Sequence, residues 1–88
     1  MRTIWKYQFD TTDSFGLQIP EGAEILSVQV QHGKPCMWVL VDKDKPVVQR
    51  RFRVYGTGHP IEAVGLTFLG TYQVCNGDLI FHVFEHIY

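Results

Sequence analysis

Hydrophobic and polar residues alternate along most of the chain with a period of two, which is the pattern of β-strands that have one buried face and one solvated face. In the first such stretch Trp5, Tyr7 and Phe9 lie on one face, with Lys6 and Gln8 on the other. The pattern predicts seven strands, at Thr3–Phe9, Phe15–Ile19, Glu24–Gln31, Pro35–Val41, Val47–Tyr55, Leu66–Val74 and Leu79–His86. We therefore expect an all-β, mainly antiparallel fold, as a small sandwich or a partly open barrel.

Glycine-containing turns separate the predicted strands. His32-Gly33 and Asn76-Gly77 each predict an antiparallel hairpin, because these pairs tolerate the positive φ angles of tight turns. The segment Glu62–Val64 has room for at most one helical turn. The run Cys36–Val41 is apolar on both faces, which is typical of a strand in the middle of a covered sheet or of one that faces a sister subunit.

Length and charge narrow the class of protein. The 88 residues form one domain, residues 1–88, and charged residues make up only 19% of them, which favours a homo-oligomer. A net charge of −1 makes a general nucleic-acid-binding protein improbable, since that mode needs an excess of lysine and arginine. The first residues lack the apolar core of a signal peptide, and no apolar run reaches the roughly 18 residues of a membrane span. We expect a cytoplasmic protein without a membrane partner.

One stretch carries most of the candidate chemistry. Arg51 and Arg53 project from the same face of a predicted strand, about 7 Å apart, and the Tyr55 phenol continues that row. The turn that follows is rich in glycine and consists of Gly56, Thr57, Gly58 and His59. Two guanidinium groups, backbone amides and a hydroxyl together predict a site for a phosphate or carboxylate. The alternative is a solvated strand face followed by an ordinary turn.

Other residue types do not combine into a catalytic or metal-binding motif. His82 and His86 have a spacing that brings ligands together on a helix, but on a strand they stand roughly 13 Å apart. Cys36 and Cys75 lack the spacing of zinc ligands, and no hydrolase motif surrounds a serine or cysteine. We predict no catalytic residue, no metal and no cofactor. Most aromatic residues belong to the core, and Trp5 is a candidate for stacking on a ligand.

Several segments resemble a family of small, uncharacterised proteins encoded by tailed bacteriophages. The segments are TIWKY, IPEGAEILSVQVQHG, WVLVD, FRVYGTGHPI, FLGT and IFHVFE, and together they extend the resemblance over nearly the whole chain. The chain departs from the expected pattern at Phe15-Gly16, where a polar β-forming residue is expected, and at Val74-Cys75-Asn76. The resemblance implies a phage accessory protein expressed in the cytoplasm of the bacterial host, and it supplies no catalytic residues.

These observations lead to three hypotheses about function. The first is a non-enzymatic protein that sequesters a small anionic, nucleotide-derived signalling molecule of bacterial anti-phage defence, through Arg51, Arg53 and the turn, with Trp5 or Tyr55 for stacking. The second is a protein–protein inhibitor of a host or defence enzyme, which would use the strand around Trp38 or an exposed edge strand. The third is a minor virion component.

Overall fold

The computed structural model describes residues 1–87 and contains seven β-strands in two sheets. The strands are β1 (Arg2–Gln8), β2 (Ser14–Pro20), β3 (Glu24–Gln31), β4 (Lys34–Asp42), β5 (Val47–Gly56), β6 (Leu66–Val74) and β7 (Leu79–His86). Every pair of neighbouring strands is antiparallel, which confirms the predicted all-β fold as a small sandwich. The described residues include no helix, so Glu62–Val64 does not form the helical turn for which the sequence left room. Within the same range no helix is long and apolar enough to span a membrane.

The two sheets pack their apolar faces together. Sheet A has the strand order β1-β4-β3, and sheet B has the order β2-β5-β7-β6. The buried cluster between them consists of Phe9, Ile19, Ala23, Val28, Met37, Val39, Val41, Phe52, Val54, Tyr72 and Val83. Three aromatic rings stack in series at one end, with centroid distances of 4.6 Å from Phe9 to Phe15 and 5.1 Å from Phe15 to Phe52. Burial of this apolar surface is the main stabilising contribution to the fold.

Both predicted hairpins form, and their turns have the expected backbone. His32 and Gly33 have φ angles of 53° and 78°, which is the pair of positive values that a two-residue type I′ turn requires. In the β6–β7 turn Cys75, Asn76 and Gly77 all have positive φ. The twist of these turns suits antiparallel strands, and they therefore help to fix the register of each hairpin.

The apolar strand β4 lies in the centre of sheet A, between β1 and β3. On its inner face Met37, Val39 and Val41 are fully buried, whereas Trp38 and Leu40 on the outer face are half-buried. Because β4 is paired on both sides, it cannot accept an additional strand. The hypothesis of strand addition at Trp38 is therefore wrong for β4, and only an edge strand remains available for that mode.

Arg50 forms an ion pair within sheet B and also donates a hydrogen bond to the segment that leads into sheet A. Arg50 points inward from β5 and donates to both carboxylate oxygens of Glu85 on β7, with 2.7 Å between Nη2 and Oε1. Its Nη1 donates to the carbonyl of Ala23, just before β3 of the other sheet, at 2.6 Å. Both charged side chains are only 19% exposed. The hydrogen bonds to Glu85 raise the pKa of Arg50, so the guanidinium stays charged throughout the physiological range.

A cationic groove on the outer face of sheet B

The outer face of β5 carries the two arginines that the sequence singled out. In the ladder Arg51 lies opposite Gly16 of β2 on one side and His86 of β7 on the other. Arg53 lies opposite Ser14 on β2 and Phe84 on β7. Residues that face each other in a ladder share one face of the sheet, so both guanidinium groups stand on the solvent side of sheet B.

These side chains line a groove of about 350 Å³ that opens to solvent. Its lining residues are Ser14, Phe15, Gly16, Gln49, Arg51, Phe52, Arg53 and His86. Gly16 forms part of the floor because it has no side chain, and a Cβ at this position would overlap the side-chain amide of Gln49. The departure from the expected polar residue at position 16 therefore lies at the groove itself.

Neither groove arginine has a carboxylate partner among the residues that the structure describes. Within residues 1–87 the ion pairs join the N-terminal amine to Asp42 and Asp44, and Arg50 to Glu85. Two neighbouring positive charges repel each other unless an anion lies between them. A bound anion would relieve this repulsion, whereas the buried charge of Arg50 is already neutralised inside the fold.

Arg53 and Tyr55 also leave polar atoms unsatisfied. Among the described residues, the Arg53 Nε and the Tyr55 hydroxyl are buried and have no hydrogen-bond partner. The Arg53 guanidinium carbon lies 5.9 Å from the centroid of the Tyr55 ring, within the range of a cation–π contact. The structure thus brings together Arg51, Arg53 and Tyr55 on one face, as the sequence predicted.

A row of aromatic rings borders the groove and was not predicted from the sequence. The Phe84 ring meets Tyr55 edge to face at a centroid distance of 5.8 Å, and it meets Phe68 of β6 in the same way at 5.4 Å. Phe68 is 56% exposed, which is unusual for so large an apolar side chain. These three rings meet because of the register in which β5, β6 and β7 pair. That register cannot be predicted from the alternation of hydrophobic and polar residues.

The glycine-rich turn lies away from the groove. Thr57 follows Arg51 by six positions, a distance of about 20 Å along an extended chain. The turn uses its amides internally: His59 N–H donates to the Gly56 carbonyl, and Thr57 N–H donates to Ile80. Gly58 has a φ of 89° and His59 packs against Gly56. Among residues 1–87 the lining of the groove does not include Gly56, Thr57, Gly58 or His59, so the structure does not bring this turn together with Arg51.

Trp5 is separated from the arginines as well. It lies on β1 of sheet A opposite Val39, on the side of that sheet that faces the core. The arginines project from the outer face of sheet B, so the sandwich stands between the two. The structure therefore does not bring Trp5 together with the groove arginines, whereas Phe84 lies opposite Arg53 in the ladder.

His82 is held by two hydroxyl groups. His82 makes hydrogen bonds of 2.8 Å from Nε2 to Thr57 Oγ1 and 2.9 Å from Nδ1 to Thr71 Oγ1. Among residues 1–87 no group of three or more histidine, cysteine, aspartate or glutamate side chains is placed to share a metal ion. The two hydrogen bonds of His82 hold Thr57, in the turn after β5, close to Thr71 of β6.

The fold and the groove define a small antiparallel β-sandwich with a groove on one outer face that two arginines line. The chain belongs to the family described as Domain of unknown function (DUF7352), whose model matches residues 1–88. No curated protein and no solved structure matches the chain. The match confirms that the chain resembles an uncharacterised family over its full length.

Proposed function

We propose that this protein is a non-enzymatic binding protein whose groove takes up a small phosphate-bearing molecule derived from a nucleotide. The observation that carries the proposal is the pair of guanidinium groups, from Arg51 and Arg53, that line one groove and have no carboxylate partner within residues 1–87. The planar guanidinium fork matches the oxygens of a phosphate, and hydrogen bonds between charged groups are roughly twice as strong as neutral ones. A phosphate in the groove would also neutralise the repulsion between the two arginines.

The aromatic row supports a ligand that carries a base. Phe84 lies opposite Arg53, and Phe68 lies beyond it, so a base attached to the phosphate can extend from the groove over these rings. Stacking on aromatic side chains contributes about 1–3 kcal/mol per base. A groove of about 350 Å³ is near the lower end of ligand sites and suits a phosphate with its sugar.

The resemblance to phage proteins supports a role for this binding protein in phage infection. We propose that the protein is a phage accessory protein, made in the host cytoplasm, that sequesters a nucleotide-derived signal of bacterial anti-phage defence. Sequestration needs affinity alone, which two arginines and a stacking surface can supply. Fold and setting do not determine the ligand, so it must be identified by binding.

Binding is tested by thermal unfolding of the purified protein with a panel of ligands. The panel contains pyrophosphate, ribose 5-phosphate, AMP, ADP, cyclic dinucleotides and cyclic ADP-ribose. We expect the nucleotides to raise the midpoint of unfolding by several degrees, because a ligand at 100 times its Kd stabilises the folded state by about 2.7 kcal/mol. Ribose 5-phosphate, which has no base, should give a smaller shift.

Native mass spectrometry of freshly purified protein provides the complementary measurement. A retained nucleotide of defined mass would support the proposal. A flat panel, combined with a stoichiometric protein partner, would contradict it and favour the inhibitor hypothesis instead. The observation on which that alternative rests is the exposed Ile4 beside the half-buried Trp38 and Leu40 on the outer face of sheet A.

A substitution at Gly16 tests the effect of the groove on ligand affinity without loss of folding stability. In Gly16→Thr the new side chain meets the flexible end of Gln49, which can move aside, and threonine suits a strand better than glycine. We expect the free energy of unfolding to be unchanged or raised by up to about 1 kcal/mol. The affinity for the ligand should fall about tenfold or more, because the added side chain fills the floor of the groove. Chemical denaturation and isothermal titration calorimetry measure the two quantities, and unchanged affinity would place the ligand elsewhere.

A further inference from the structure

The four edge strands of the sandwich differ in how they are protected. The edges β3 and β6 lie close together, and a Cβ on Gly70 would come within 3.0 Å of the Val28 Cβ. Both strands also contain a register shift, between Ile25 and Ser27 in β3 and between Phe68 and Gly70 in β6. Bulges and close neighbours prevent further strands from pairing at an edge. The edges β1 and β2 remain.

Of these two edges, β2 has the features of a protected strand. It contains Gly16 and ends at Pro20, which has no amide hydrogen, and both residues weaken pairing with another strand. Its apolar side chains Phe15, Leu17 and Ile19 belong to the core or pack against it. A partner strand at β2 would therefore gain few side-chain contacts.

The edge β1 has the opposite character. Its seven residues pair with β4 without a bulge and contain neither proline nor glycine. Ile4 is 55% exposed and Trp5 is 39% exposed, on opposite faces of the strand. Lys6 lies on the outer face of sheet A, where its exposed ammonium group donates to Gln31 Oε1 at 2.8 Å. A regular edge strand without a bulge, proline or glycine is a template for pairing.

We propose that β1 is the interface between two copies of this chain, which pair their β1 strands antiparallel about Trp5. The two copies of sheet A then form one continuous six-stranded sheet. A two-fold axis perpendicular to the sheet relates the two copies, so each copy contributes the same residues to the interface. The two Trp5 side chains meet at the centre, where large aromatic residues contribute most to an interface.

The charges of β1 select this register over its neighbours. Pairing about Trp5 places Thr3 opposite Tyr7 of the second copy, Ile4 opposite its Lys6, and Arg2 opposite its Gln8. Pairing about Ile4 would place Arg2 opposite Lys6 twice, and pairing about Lys6 would place the two lysines opposite each other. Like charges directly opposite in a ladder are destabilising. Only the register about Trp5 pairs all seven residues without such a contact.

The test compares two substitutions at one exposed position. In the proposed register residue 4 faces Lys6 of the second copy at two symmetry-related places. Ile4→Glu therefore creates two attractive pairs and Ile4→Lys two repulsive ones. We expect wild type to be a dimer in analytical ultracentrifugation, and the Kd for dissociation of Ile4→Lys to exceed that of Ile4→Glu by about tenfold or more.

Controls separate the interface from general effects. Val64→Lys adds the same charge at a loop residue that is 74% exposed, and its dimer Kd should equal that of wild type. Circular dichroism and thermal unfolding confirm that each variant is folded. Arg51→Ala should leave the dimer Kd unchanged, because the groove lies on the other sheet, so failure of the ligand proposal and failure of this one are distinguishable.

Three outcomes would overturn the proposal. The first is a wild-type protein that stays monomeric at about 100 µM, well above the Kd of ordinary homodimers. The second is equal dissociation constants for Ile4→Glu and Ile4→Lys. The third is assembly by any means other than paired β1 strands, seen either as an oligomer that neither substitution affects or as a partner of a different sequence bound at β1.

Discussion

Replacing Arg50 with methionine is expected to destabilise the domain by about 2–3 kcal/mol, since it leaves the Glu85 carboxylate between the sheets without its partner. Loss of a fully buried ion-pair partner costs about 3–5 kcal/mol, and an exposed pair contributes at most about 1 kcal/mol. Side chains that are 19% exposed lie between these limits. The substitution also removes the donor to Ala23, which joins the sheets. Urea denaturation measures the change.

The double variant Arg50→Met/Glu85→Met tests the cause. With both charges removed, no buried carboxylate is left unpaired, and we expect most of the stability to return, to within about 1 kcal/mol of wild type. Arg51→Met is the matched control, because it changes the next residue of the same strand on the solvent face, and it should shift the free energy of unfolding by less than about 0.5 kcal/mol. A double variant that is as unstable as the sum of the single ones would refute this explanation.

The strands and hairpins of this fold follow from local sequence patterns. Alternation over Leu66–Val74 and Leu79–His86, interrupted by Asn76-Gly77, determines a hairpin because both the turn and the buried face depend on residues close in the chain. The same holds for His32-Gly33. Local chemistry therefore predicts the number of strands and their approximate bounds.

The assignment of strands to sheets does not follow from such patterns. Nothing local indicates that β1 pairs with β4 while β2 pairs with β5, since these partners are distant in the chain. Arg50 illustrates the consequence. Its place on the apolar side of β5 conflicts with the alternation, and only the pairing of β5 with β7 reveals Glu85 as its partner.

For the candidate site, too, the sequence predicts the features that lie within one strand and not those that depend on neighbouring strands. Arg51, Arg53 and Tyr55 share a face because they are two residues apart on one strand, and a period of two is local. The aromatic row and the groove floor depend on the neighbours that β6, β7 and β2 supply, so Phe84, Phe68 and Gly16 were missed. Conversely, Trp5 and the turn after β5 were grouped with the arginines by residue type, and the topology separates them.

Removing both groove arginines should abolish ligand binding while the fold is retained. We expect Arg51→Ala and Arg53→Ala each to weaken binding of a nucleotide about 10- to 100-fold, because a hydrogen bond between charged groups contributes about 1.5–3 kcal/mol. The double variant should show no thermal shift. Arg53 should have the larger effect, because its Nε has no hydrogen-bond partner within residues 1–87 and its guanidinium is held against Tyr55. Titration calorimetry measures each Kd.

Two further variants distinguish the effect of the protein's net charge on binding from the effect of guanidinium geometry in the groove. Lys34→Ala removes the same charge from an exposed residue on sheet A, and it should leave the Kd within about twofold of wild type if the arginines act locally rather than through the overall field. Arg53→Lys keeps the charge but loses the planar fork, and we expect it to recover only part of the affinity. Equal losses in Lys34→Ala and Arg51→Ala would mean that binding follows net charge. Binding in the groove would then be excluded. If the two guanidinium groups hold the ligand, loss of a groove arginine must weaken binding more than loss of a lysine on the opposite sheet.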